Sequence, residues 1–400
     1  MSSSRKRLWI GGAAGMLLLS MVAASPAAAK PAAVAGRPPS CDGSWHVVSS
    51  PNPWHDYGDA DSLSSVATLS PRDAWAVGFH TDFDTPYGFQ TLAEHWNGRT
   101  WQHVPTPDST KTTWDQLNGV VSIAPDDVWA VGNESTGPYG SLIEHWDGTS
   151  WSIQDDGTPR TYLTSVSGLG PNDLWAAGST NYVGFGLIDH WNGISWTRTV
   201  LPVSIYFRAI KELAPNDIWA VGQESTGGFG DNTAAYHYDG ATWTRYSTPN
   251  PLQVHTDDQN WLTSIAAISP NDVWALGVSR DPDYGIRDHP FTIHWDGSSW
   301  SLVRTPDPGG SRADTDLWGA VPFATDDIWA VGRVGVDPTW HTFTAHWDGS
   351  TWTSLRSSTP GEFLATARDG LGGLWGVGDQ DAQTYRGIAT LVEHLCFPKT

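Results

Sequence analysis

Apolar residues in this chain come in short runs separated by turn residues, and the runs recur as a set. One set shows Leu117 to Ile123, Val128 to Val131, Ser141 to Trp146 and a run opening at Trp151. Runs of this length, bounded by Gly, Pro, Asn and Asp, predict β-strands. Asp147-Gly148 separates the third run from the fourth, a two-residue hairpin signal because both positions accept positive φ. Pro125-Asp126-Asp127 separates the first from the second, where Pro presets φ and Asp caps the backbone. Each set therefore predicts a four-stranded antiparallel sheet.

The set repeats along the chain. A nonapeptide of the form Ser70-Pro-Arg-Asp-Ala-Trp75-Ala-Val-Gly78 recurs with its tryptophan at 129, 175, 219, 274 and 329, and more weakly at 375. The mean spacing from Trp75 to Trp375 is 50 residues. A second motif, Glu94-His95-Trp96-Asn97-Gly98-Arg99-Thr100-Trp101, follows each copy but is complete only six times. Val392 to Cys396 supplies the strand before the missing turn, and Cys41 to Trp45 supplies the turn and the strand after it. This pattern predicts an all-β chain of seven four-stranded blades closed as a β-propeller, with the N-terminal strand completing the last blade. Cys41 and Cys396, the two cysteines, then meet at the seam, and a disulfide is expected there rather than two buried thiols.

Arg5, Lys6 and Arg7 precede an apolar run from Leu8 to Ala24, followed by Ala27-Ala28-Ala29. We read residues 1–29 as a secretion signal, 30–40 as a Pro/Ala-rich linker and 41–400 as the propeller. The mature chain is expected to be extracellular and monomeric, with no membrane span. Export also suits a disulfide. The formal net charge of −21 becomes −24 once the signal's three basic residues are gone, which disfavours nucleic acid and anionic membranes as partners.

The repeats resemble those of secreted bacterial seven-bladed propellers of the kelch and galactose-oxidase-like type, and the Asp-Gly-x-x-Trp hairpin resembles an Asp-box. The resemblance covers residues 41–400. It implies the architecture but not one chemistry, because such propellers serve as lectins, lyases, glycosidases, oxidases and interaction platforms. A Tyr-Cys redox centre is not expected, since both cysteines are assigned to the seam.

Repeat positions read as scaffold. Nineteen of the tryptophans and the histidines at 95, 145, 190, 237, 294, 346 and 394 recur at fixed places, so a shared structural contact explains them more cheaply than seven metal sites. The small residues Ser65, Gly119, Ser165, Ala209, Ser264, Gly319 and Ala365 fit the crowding around a central channel.

Function is sought where the repeat breaks. Connections between strands two and three, and between blades, read as long and variable, and both emerge on one face of the disc. Binding is expected there, over the channel mouth. Trp54, Trp114, Trp261, Trp318 and Trp340 lie in or beside these connections, either to stack on sugar rings or partner side chains, or to pack their own loops. The inner strand of blade 4 departs most, with Tyr206, Arg208, Lys211 and Glu212 where other blades carry small residues. Arg208 suits a carboxylate, with Tyr206 or His255 as proton acceptor, which is lyase chemistry. Alternatively, Arg208 or Lys211 pairs with Glu212 and plugs the channel.

Asp59/Asp61, Asp82/Asp84, Asp281/Asp283, Asp314/Asp316 and Asp379/Asp381 offer hard oxygen ligands for Ca²⁺, or form a solvated acidic rim. Glu134 and Glu224 suggest an acid pair for glycoside hydrolysis, or a shared turn. Arg160, Arg208, Arg287 and Arg312 would make a basic patch if they converged. No P-loop, dinucleotide fingerprint, Gly-x-Ser-x-Gly elbow or zinc spacing is present. The expected function is binding of an extracellular ligand, a glycan foremost. A polysaccharide lyase or glycoside hydrolase at the same face, and a protein-interaction scaffold, are the alternatives.

Overall fold

The computed structural model describes residues 41–52, 60–81, 88–108, 114–134, 140–180, 184–226, 230–253, 255–281, 287–337, 339–381 and 387–398. The expected signal and linker lie outside them. Apart from one short 3-10 turn, Gly310–Arg312, every regular element among the described residues is a strand. No helix there is long and apolar enough to cross a membrane.

The described strands form seven four-stranded antiparallel units. The first runs Asp61–Ser70, Asp73–Thr81, Phe89–Trp96, Trp101–His103, from the inside outwards, and the next is Gln116–Ala124 through Trp151–Pro159. Blades 3, 4 and 5 join into one continuous sheet. The long strand Trp196–Ala214 ends blade 3 and begins blade 4, and a single parallel pair, Asp231 with Gln259, links blade 4 to blade 5. Inner strands pack in chain order, and Glu362–Arg368 of the last blade returns to Asp61–Ser70 of the first. The sheets thus close into a β-propeller.

The seam is built from both ends of the chain. Trp45–Val47 pairs antiparallel with Ile388–Leu395, placing Trp45 opposite Leu395 and His46 opposite His394. Cys41 and Cys396 form a disulfide beside it, with Cα atoms 4.8 Å apart and 355 residues between them.

The repeated residues have repeated contacts. In every blade the motif histidine donates to or accepts from an aspartate at 2.8–2.9 Å, from His95 with Asp73 to His394 with Asp369. Each of those rings lies 3.9–4.6 Å from the first-motif tryptophan of its own blade. The tryptophan also packs on the neighbouring blade, as Trp75 does edge-on against Trp151 at 5.2 Å. The motif's closing glycine answers to a β-bulge in the inner strand. There the inner-strand backbone comes so close that a Cβ at Gly78 would strike the Ser62 carbonyl, and one at Gly222 the Tyr206 carbonyl. Gly119 and Gly319 sit tightly against the next inner strand, on Ser165 and Ala365. Ring crowding therefore explains the small residues there.

One expectation needs correction. Connections between blades are not all long. Blade 2 runs into blade 3 through Arg160 alone, blade 6 into blade 7 through Gly361 alone, and blade 3 into blade 4 without leaving a strand. Arg160 takes φ 66° and Gly361 φ 121°, so at these two junctions the chain turns through a single residue with positive φ. The long connections join blades 7 to 1, 1 to 2, 4 to 5 and 5 to 6.

Candidate functional site: the channel and its mouth

The inner strands enclose a channel of about 790 Å³. Its wall alternates small apolar residues with hydroxyls and amides, among them Ser65, Asn118, Thr164, Ser264 and Thr366. Several hydroxyls also clamp adjacent blades: Ser65, Ser165 and Ser264 accept from the backbone N–H of Val120, Ile210 and Ala320. Asn118 donates to Asn133 at 3.0 Å and to the Leu163 carbonyl at 2.8 Å, holding the amide edge of the lining in place.

Aromatic rings gather at the channel. Trp114 is 54% exposed and lies nearly parallel to Phe89, with ring centroids 4.5 Å apart. A backbone bridge between these two residues and the Asp115 N–H on the Phe89 carbonyl fix its pose. Gly88 lets the indole approach, since a Cβ there would lie 3.1 Å from Trp114 Nε1. Trp318 and Tyr206 also line the channel.

A side pocket of about 280 Å³ shares Tyr206 and Arg208 with the channel and adds Ser204, Gln223 and Asp231. Arg208 Nε donates to Gln223 Oε1 at 2.7 Å, and Gln223 Nε2 donates to Asp231 at 3.2 Å. Burial raises the Asp231 carboxyl above its ordinary range, partly offset by the Gln223 bond and the Arg208 charge. The guanidinium lies 5.2 Å from the Tyr206 ring and 5.8 Å from that of Trp261.

The other sequence candidates fall differently. Trp54, Asp59, Asp82, Asp84 and Asp283 lie outside the described residues. Trp261 is 7% exposed, packed within an inner strand between Arg208 and Arg280, so as it stands it offers no stacking face. Trp340 lies under Arg333, whose Cζ is 3.9 Å from the ring. His255 does not line either cavity; its backbone N–H caps Asp258 in the connection from blade 4 to blade 5. The expected trio of Arg208, Tyr206 and His255 is thus reduced to two, because the third sits on a separate connection.

The acidic pairs are likewise committed. Asp316 accepts from Arg333 at 2.7 Å, and Asp314 accepts from the Asp288 N–H at 3.1 Å and faces Arg287 at 3.5 Å. Burial pushes Asp316 up to about 7 against the pull of Arg333. Asp61 is buried in the first inner strand, and its neighbour Ser62 donates to Asp379. Asp281 ends beside the second strand of blade 5. Among the described residues, no group of three or more His, Cys, Asp or Glu side chains is arranged to hold a metal ion. Glu224 is held by Tyr236 and Arg245 at 2.7–2.9 Å and lines neither cavity, and Glu134 is buried at the end of the second strand of blade 2. Of the four arginines considered for a basic patch, Arg208 alone lines the channel; Arg160 and Arg312 are exposed elsewhere.

Sequence reasoning missed Gln116, Asn118, Asn133, Gln223 and Asp231. Gln116 and Asn118 stand at the bulge of an inner strand, while Asn133, Gln223 and Asp231 stand on second and third strands, and no local pattern marks any of them.

Neither a family model nor a curated protein matches the chain. Solved structures match across nearly its whole length. YCF48 bound to a D1 peptide aligns with TM-score 0.53 at 13% identity, covering 89% of this chain and 96% of that one. YCF48 from Cyanidioschyzon merolae aligns with TM-score 0.52 at 14% identity, covering 88% and 98%. A protein of unknown function from Dyadobacter fermentans aligns with TM-score 0.50 at 11% identity, covering 88% and 98%. At these identities the likeness is one of fold.

Proposed function

We propose that this protein is an exported propeller, of the kelch and galactose-oxidase-like type, that binds a glycan at the channel mouth. The observation that carries this reading is Trp114, an exposed indole held flat on Phe89 at the rim of a channel walled by hydroxyls and amides. An aromatic face supports the apolar face of a sugar ring, while fixed amides and hydroxyls take its hydroxyl groups. The disulfide is compatible with the oxidising compartment that export implies.

The test is a glycan-array screen of the mature protein, with and without Ca²⁺, scored for retention and for release of reducing or unsaturated ends. Retention without new ends, lost in Trp114→Ala and Trp318→Ala, is expected. New ends would replace this reading with an enzyme centred on Tyr206 and Arg208. Silence on every glycan would overturn it in favour of a protein or peptide ligand, the class bound by the YCF48 structure.

A further inference from the structure

Among the described residues, the charged groups lining the channel are Arg208 and Lys211, both cationic and both on the inner strand of blade 4. No carboxylate among those residues lines it. Arg208 has Gln223 as a partner and Asp231 nearby. The Lys211 ammonium makes no hydrogen bond or ion pair among the described residues.

The obvious neutralising group does not reach it. Glu212 is the next residue, so on an extended strand its side chain points to the opposite side. It is 1% exposed, and Asp173 acts on it more strongly than Lys211 does. Burial, and after it Asp173, push Glu212 up to about 8. Lys211 itself is held below the ordinary lysine range by desolvation, a pull that Glu212 opposes and the nearby Arg368 adds to. A channel carrying two cations inside a protein of net charge −21 stores a charge that a ligand can satisfy. Among the described residues Lys211 forms no ion pair with Glu212, the pairing that would have made it a plug.

We propose that Lys211 and Arg208 form an anion site within the channel, and that the ligand inserts a carboxylate-bearing end that Lys211 receives. The proposal rests on the glycan reading for the rest of the ligand, and it narrows that glycan to one with an acidic terminal sugar. The two cations are three positions apart on one strand, roughly 10 Å, so Lys211 receives the carboxylate and Arg208 acts on it across the channel. A single terminal acid also suits the acidic exterior better than a polyanion.

The chain allows a direct test, because beyond the first 40 residues it carries just Lys111, Lys211 and Lys399. The mature protein is reductively ¹³C-methylated, which keeps the lysine charge, and its methyl resonances are followed during titration with glucuronate and, separately, glucose. Lys211 is assigned by Lys211→Met and, should that variant misfold, by elimination with Lys30→Arg, Lys111→Arg and Lys399→Arg, since Lys30 of the linker is methylated as well. Glucuronate is expected to shift the Lys211 signal saturably and leave Lys111 and Lys399 in place, with glucose inert. Arg208→Gln, which removes a second positive charge from the channel, should weaken the apparent affinity about tenfold. A Lys211 signal that does not move, or one that moves only as the other two do, overturns the proposal. If Lys211 stays silent while neutral glycans bind on the array, the anion site fails and the glycan reading stands. If Lys211 responds while the array is silent, the anion site stands and the glycan reading fails.

Discussion

Two parts of this propeller were built under opposite rules. On the tight-turn side, the same His, Asp and Trp meet in all seven blades, and each of those histidines finds its aspartate within its own blade. On the inner strand of blade 4, one copy departs from the other six and leaves a lysine without a partner among the described residues. Seven-fold agreement records what packing requires of every blade. A single departure that leaves charge uncompensated is a stability cost that packing does not explain, and that is where binding is to be sought.

Four measurements probe this contrast. On the scaffold side, breaking the seam should have the greatest effect. Cys41→Ser releases a 355-residue loop, and chain entropy predicts a loss of up to about 6 kcal/mol, read as a lower denaturation midpoint relative to the oxidised protein. An unchanged midpoint would show that strand pairing alone holds the ring.

Next comes the pH response of the carboxyls buried between blades. Glu94 and Glu144 are 0% exposed. Burial raises Glu94 to about 8 and lifts Glu144 well above its ordinary range. The unfolded chain releases these protons first, so their contribution favours folding below about pH 4.5 and is lost as pH rises towards 8. Glu94 alone should remove about 3 kcal/mol between pH 4.5 and 7. Glu94→Gln should flatten that part of the stability curve, and a curve of unchanged slope would refute the assignment.

Within the repeat, Asp272→Ala strands His294 and the Trp274 indole N–H, which it binds at 2.9 and 3.1 Å. A loss of about 2 kcal/mol is expected by thermal or urea unfolding. The smallest effect should have the opposite sign. Lys211→Met removes a desolvated charge and should raise stability by about 1 kcal/mol while abolishing the response to glucuronate. A fall in stability would place Lys211 with the scaffold and erase the contrast.

Much of the scaffold was legible because it is local and repeated. The nonapeptide, the Asp-Gly hairpin and the split second motif carry their own turn chemistry, and Gly98, Gly148 and their counterparts take the positive φ that the hairpin demands. The candidate site was legible in part. Trp114, Tyr206, Arg208 and Trp318 were singled out because they break the repeat, and they do line the channel. Trp261 breaks it too, yet it is buried between two arginines, since interruption of a pattern does not tell which way a side chain points. The loop pattern misled at Arg160 and Gly361, where an outer strand extends inwards to the next blade and no loop intervenes.

By itself, then, the sequence determined the strands, their grouping in fours and the meeting of the two chain ends, because each depends on turn residues and on a period written many times over. The tertiary structure alone decided which side chains face the channel, because the bulge in each inner strand resets the alternation at the point where it matters. It also decided charge compensation. Asp314 and Asp316 read as ligands until blades 5 and 6 brought Arg287 and Arg333 to them, whereas Lys211 and Glu212, adjacent in sequence, were parted to opposite sides of one strand.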